Sequence, residues 1–170
     1  MTFATPALWI AGGLIALSAA TLALPRHVSV ERSAVLQATP EAVLALAASN
    51  GGYQTFNPYK TRDPELKIEL FGPEAGVGSG FHFDGKEGKG QQTVAGVTDD
   101  TVRYAIDLGA MGQPKQAIHA VPSETGTQVT WRIESDMGVN PAFRVFGLFM
   151  ERMMGPTLEL GLENLRKAAA

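Results

Sequence analysis

The chain has 170 residues, 45% of them hydrophobic and 18% charged, which suits one globular domain with an appendage and excludes a disordered chain. A net charge of -3 argues against a nucleic-acid binder, which normally presents a basic face. Cysteine is absent, so disulfide and thiolate chemistry are excluded while the compartment stays open.

Residues 3–24 contain no Asp, Glu, Lys or Arg. As a helix they would reach about 33 Å at about 1.5 Å per residue, enough for a bilayer core of roughly 30 Å. Gly12 and Gly13 suit a membrane helix better than one in water, and Pro6 falls in the first turn, where its missing N–H costs little. The expectation is a single-pass anchor at residues 1–25, followed by one domain at residues 26–170. The alternative is a cleaved secretory signal with a small-x-small site at Thr21-Leu22-Ala23, although the basic n-region it needs is missing. Arg26 and Arg32 follow the run and nothing basic precedes it, so the positive-inside bias points to the cytoplasmic side. Two arginines leave the side undetermined.

After Pro25, His27 to Leu36 reads as a strand with Val28 and Val30 on one face. Thr39, Pro40 and Glu41 open a short helix that Gly51-Gly52 is expected to end. Residues 53–59 form a turn or short helix before Asp63-Pro64. The pattern then switches to period two: Leu66, Ile68 and Leu70; Phe81 and Phe83; Val102, Tyr104, Ile106 and Leu108; Val129, Trp131 and Ile133. Short turn segments separate these runs and no helix interrupts them, which predicts an antiparallel meander and excludes a doubly wound parallel sheet. One long helix closes the chain, capped by Asn140 and Pro141 and kinked near Gly155 by Pro156. Its apolar stripe is Phe143, Phe146, Met150, Met154, Leu158, Leu162 and Leu165, with Arg144, Glu151, Arg152, Glu159, Glu163 and Arg166 on the other side. This order predicts an α+β fold in which a curved sheet wraps a C-terminal helix, with a ligand site between them.

Four stretches resemble one known family. They are Glu31-Arg32-Ser33 with Ala38-Thr39-Pro40-Glu41-Ala42-Val43; Phe56-Asn57-Pro58-Tyr59 followed by Asp63-Pro64; Gly76-Val77-Gly78 through Phe83-Asp84-Gly85 and Gly88-Lys89-Gly90; and Gly126-Thr127-Gln128-Val129-Thr130-Trp131 with Gly161-Leu162-Glu163-Asn164-Leu165-Arg166-Lys167. In this order they resemble the SRPBCC superfamily, the START and birch-allergen-like fold, and in particular its polyketide cyclase/dehydrase branch. The resemblance implies a helix-grip fold and a hydrophobic cavity, without naming a reaction. Phe56 and Phe83 stand where many relatives carry tryptophan, which removes an indole N–H donor.

Other motifs read as structure. Gly76-Val77-Gly78-Ser79-Gly80 is followed by strand alternation rather than a helix, so it is turn chemistry and not a phosphate loop. His27, His82 and His119 share no metal-ligand spacing, and neither a metal nor a cofactor is expected. Asp107 and Arg132 belong to the wet face of the sheet. The expected ligand-binding residues are Phe56, Tyr59, Phe81, Phe83, Tyr104, Ile106, Trp131, Phe143, Phe146, Met150, Met154 and Leu158, with Tyr53 as a further polar tip. The expected activity is binding of a lipid, a quinone-like isoprenoid or a polyketide, close to the membrane reached through residues 3–24. An enzyme of cyclase, dehydratase or hydrolase type is the alternative, and Tyr104 and His119 are its candidate acid–base groups. A protein-interaction module with a collapsed cavity is a third reading, and the oligomeric state stays open.

Overall fold

The computed structural model describes residues 21–170, so the uncharged run at residues 3–24 lies outside the described residues except for its last four positions. Strand β1 (His27–Leu36) leads to helix α1 (Pro40–Ala48), where the Thr39 hydroxyl accepts from the Ala42 amide at 3.3 Å and Pro40 fills the first turn. Gly51-Gly52 does not end the helical region. Ser49 closes α1 and caps α2 (Asn50–Phe56), its hydroxyl accepting from the Gly52 amide at 3.1 Å. Glycine at 52 serves close packing, because a Cβ there would stand 2.7 Å from the Leu46 carbonyl oxygen. Asn57 then caps the short α3 (Pro58–Arg62).

The period-two runs become β2 (Lys67–Phe71), β3 (Gly80–Gly85), β4 (Gly88–Val97), β5 (Thr101–Asp107), β6 (Lys115–Ser123) and β7 (Gly126–Asp136). With β1 they make one seven-stranded antiparallel sheet ordered β1-β7-β6-β5-β4-β3-β2. The first strand pairs with the last along its whole length, from His27↔Asp136 to Leu36↔Thr127. A bulge between Val94 and Gly96 bends β4 and helps the sheet to curve. Alternation sorts the residues cleanly. Val30, Val102, Tyr104, Ile118, Val129, Trp131 and Ile133 are buried under the helices, while Glu31, Arg103 and Arg132 face away.

The C-terminal segment is two helices and not one. Helix α4 (Pro141–Gly147) ends before Leu148, and α5 (Met150–Ala168) runs on through Pro156. Helix α5 lies along β1 and β7 and against α2 and α3, and two glycines set how closely it approaches. A Cβ at Gly161 would stand 2.4 Å from the Trp131 ring, and one at Gly155 would stand 2.3 Å from Arg32 Nη2. Arg32 is therefore not a free membrane-flanking charge. It points inward from β1 beneath α5, its Nη2 donating to Glu151 at 2.6 Å and its Nε to Glu159 at 2.7 Å.

Helix α4 is turned opposite to the expected stripe. Phe143 and Phe146 are 38% and 43% exposed, whereas Arg144 is only 7% exposed. The Arg144 Nε donates to the Gly138 carbonyl at 2.6 Å, and Nη1 donates to the Leu22 carbonyl at 3.4 Å and to the Leu24 carbonyl. A buried guanidinium served by three carbonyls holds that side of the helix inward, which leaves the phenylalanines outside. No described helix is long and apolar enough to cross a membrane.

Candidate ligand site between the sheet and the helices

Tyr53 on α2 stands at the centre of the interior. Its ring lies 4.8 Å from Phe56, 5.3 Å from Phe81, 5.6 Å from Tyr104 and 6.1 Å from Trp131, tilted or edge-on in each case. Phe56 meets Trp131 edge-on at 5.7 Å, and Phe83 extends the cluster from Phe81 at 6.3 Å. Such tilted and edge-on rings fill space densely and hold one another in place.

Polar groups enter this greasy interior from the strands. Gln116 on β6 donates through Nε2 to the Tyr53 hydroxyl at 3.1 Å, and Gln92 on β4 lies beside the same hydroxyl. The Tyr104 hydroxyl donates to the Ala47 carbonyl at 2.7 Å. Burial pushes the Tyr53 and Tyr104 phenols well above the ordinary tyrosine value, and pushes Tyr59 up to about 12. Trp131 Nε1 is buried with no acceptor among the described residues. An orphaned indole donor is uncommon and costly in a packed interior.

Little open space remains there. A residual cavity of about 10 Å³ is bounded by Tyr53, Phe81, Gln92, Val94 and Tyr104, room for about one water. The larger hollow, about 600 Å³, lies on the opposite face of the sheet. Its lining includes Ala105, Ala117 and Thr130 together with the charged Arg103, Lys115, Arg132 and Glu134. Arg132 is held there by Glu31 at 2.7 Å and Glu134 at 3.4 Å. An open, charged groove of this kind does not shield an apolar molecule from water.

The expected site residues thus divide. Phe56, Phe81, Tyr104, Trp131, Met150 and Leu158 are buried, and Tyr59, Phe83, Ile106 and Met154 are half-buried. Phe143 and Phe146 do not take part, because α4 presents them to solvent. His119 lies on the outer face and meets Asp100 Oδ2 at 3.2 Å, across the sheet from the aromatic cluster. Gln92 and Gln116 were not among the expected residues. The register that turns Ile118 and Ala120 inward also turns Gln116 inward, so the same alternation carried that signal.

Among the described residues no cluster of three or more His, Cys, Asp or Glu is arranged to hold a metal ion. Residues 27–170 match the family described as polyketide cyclase/dehydrase and lipid transport. The chain belongs to this family. No curated protein matches the sequence. Norcoclaurine synthase of Thalictrum flavum, solved with a transition-state analogue, is similar in fold with a TM-score of 0.63 at 16% identity, over 84% of this chain and 94% of that one. Protein CV1439 of Chromobacterium violaceum gives 0.60 at 15% identity, over 83% and 96% of the two chains. The di-domain aromatase/cyclase StfQ of the steffimycin biosynthetic pathway gives 0.61 at 11% identity over 84% of this chain, which spans only 50% of StfQ. At such identities these likenesses establish the helix-grip fold of the polyketide cyclase/dehydrase family, and no activity.

Proposed function

We infer that the protein is a membrane-tethered module that takes up a hydrophobic small molecule between the sheet and the helices. The tether is the uncharged run at residues 3–24, and the ligand is a lipid, quinone-like isoprenoid or polyketide carrying at least one oxygen function. One observation supports this reading above the others: an apolar interior that contains an unsatisfied indole N–H, with two carboxamides gathered around one tyrosine hydroxyl. A packed core gains nothing from an unpaired donor, whereas a ligand carbonyl or hydroxyl oxygen would satisfy the indole N–H. The family's description includes lipid transport, which agrees with this ligand class.

The interior as it stands is the closed form, with room for about one water. Binding therefore requires the Tyr53 and Phe81 rings to move apart, and the apparent affinity falls by the fraction of molecules that are open. The enzyme alternative has less support. His119 faces away from the interior, and the Tyr104 hydroxyl is committed to a backbone carbonyl. The interaction-module reading rests on one fact, the small size of the residual cavity.

The test is native mass spectrometry of the full chain extracted with its bound lipids, for the parent and for Gln116→Leu. The parent should retain an apolar molecule bearing oxygen, and the variant should hold it about 2- to 10-fold more weakly, as expected for one lost hydrogen bond. His119→Ala should change neither retention nor function. A parent that retains nothing and binds no apolar fluorescent probe would leave the interaction module standing. Loss of function in His119→Ala with the ligand still bound would restore the enzyme.

A further inference from the structure

Helix α4 and its flanks form an apolar surface that no described residue covers. Val139, Phe143, Phe146, Leu148, Phe149 and Met153 are each between 38% and 74% exposed. Residues 139–150 contain no acidic residue, and their single charge, Arg144, is turned inward. Large exposed apolar side chains gathered in this way mark an interaction surface.

The position of the patch identifies its partner. Arg144, on the inner side of α4, holds the carbonyls of Leu22 and Leu24. The uncharged run at residues 3–24 therefore joins the domain beside the helix that carries the patch. That run is long enough, at about 33 Å as a helix, to cross a bilayer. A chain that leaves the membrane at this point brings α4 to the lipid surface, where Phe and Leu side chains gain by burial among the acyl chains. Arg152 follows Phe149 at the margin of the patch and is exposed, a position suited to lipid phosphate.

We propose that α4 is a second membrane contact, laid into the bilayer surface with Phe143, Phe146 and Phe149 among the lipid chains. The proposal rests on the tether reading, and adds that the domain lies against the membrane in one fixed orientation.

The experiment uses the full chain in phosphatidylcholine/phosphatidylglycerol vesicles, with acyl chains either plain or brominated. Trp9 of the parent reports on the tether. Phe146→Trp in a Trp9→Phe background reports on α4, with Leu70→Trp in the same background as a control on the far edge strand, and Trp131 contributes only a buried baseline. On α4 the new indole should shift to the blue with vesicles and lose most of its emission to brominated chains, while the Leu70→Trp emission stays unchanged. Quenching of Trp9 with none at Phe146→Trp would overturn the α4 contact and leave the tether intact. Quenching at Phe146→Trp with none at Trp9 would keep the α4 contact and remove the tether. A chain that does not float with vesicles would sink both. A concentration-dependent blue shift without lipid would assign the patch to a second copy of the chain and overturn the proposal.

Discussion

Gly161 and Gly155 face the same question, what a methyl group would meet, and give different answers. At Gly161 the added carbon would stand 2.4 Å from the six-membered ring of Trp131, which is buried and wedged against Phe56. Nothing there can swing aside, so either α5 lifts or the ring leaves its rotamer. At Gly155 the obstacle is the end of a flexible arginine, 28% exposed, which can withdraw at the expense of its links to Glu151 and Glu159. Gly161→Ala should therefore cost about 1–3 kcal/mol, the usual range for overpacking, and Gly155→Ala clearly less. Urea denaturation of both variants checks the order, and equal midpoints would show that the helix does not rest on the tryptophan as described.

Among the elements, the β3–β4 hairpin owes its position to a residue outside the sheet. Asp63, at the end of α3, accepts the Lys86 amide at 2.9 Å and the Glu65 amide at 3.2 Å, with the Lys86 ammonium at 3.5 Å. The Lys86 amide is the main cause of a carboxyl held below the usual aspartate value. Asp63→Ala should loosen the turn of this hairpin, read as faster hydrogen exchange at residues 80–97 with the β1–β7 pairing still protected. Elements of this kind were partly legible in the sequence. The meander, the first strand and the Thr39-Pro40 cap follow from alternation and capping chemistry, which are local. The division of the last helix was not legible, and neither was the outward turn of Phe143 and Phe146. The outward turn goes with Arg144 finding the carbonyls of Leu22 and Leu24, contacts across more than a hundred positions of chain that no periodicity encodes. For the same reason Tyr53 could be named as a polar tip but not as the centre of the aromatic cluster.

At the scale of the whole molecule, pH should destabilise the fold at both extremes. Asp136 is held far below the usual carboxylate value, chiefly by its hydrogen bonds from Arg26, and Asp100 is lowered mainly by Thr101. A depressed folded value means stability that is present above about pH 4 and lost as pH falls through the folded value. Tyr53, Tyr59 and Tyr104 are raised by burial, so their contribution is complete below about pH 10 and lost as pH rises towards the folded values. Urea midpoints followed across pH should form a plateau with two falling limbs, Asp136→Asn should flatten the acid limb, and phenolate absorbance should appear only with unfolding. Phenolate that titrates in the intact fold would show the interior to be open to water. The pairing of β1 with β7 also has a consequence for how the chain is made. The first strand of the sheet leaves the ribosome roughly a hundred residues before its partner β7, which at about 5–20 residues per second is a wait of about 5–20 s. Five strands, β2 to β6, can be hairpinned together in sequence during that time while β1 has nowhere to pair, so the closing step has the highest contact order and should limit the folding rate.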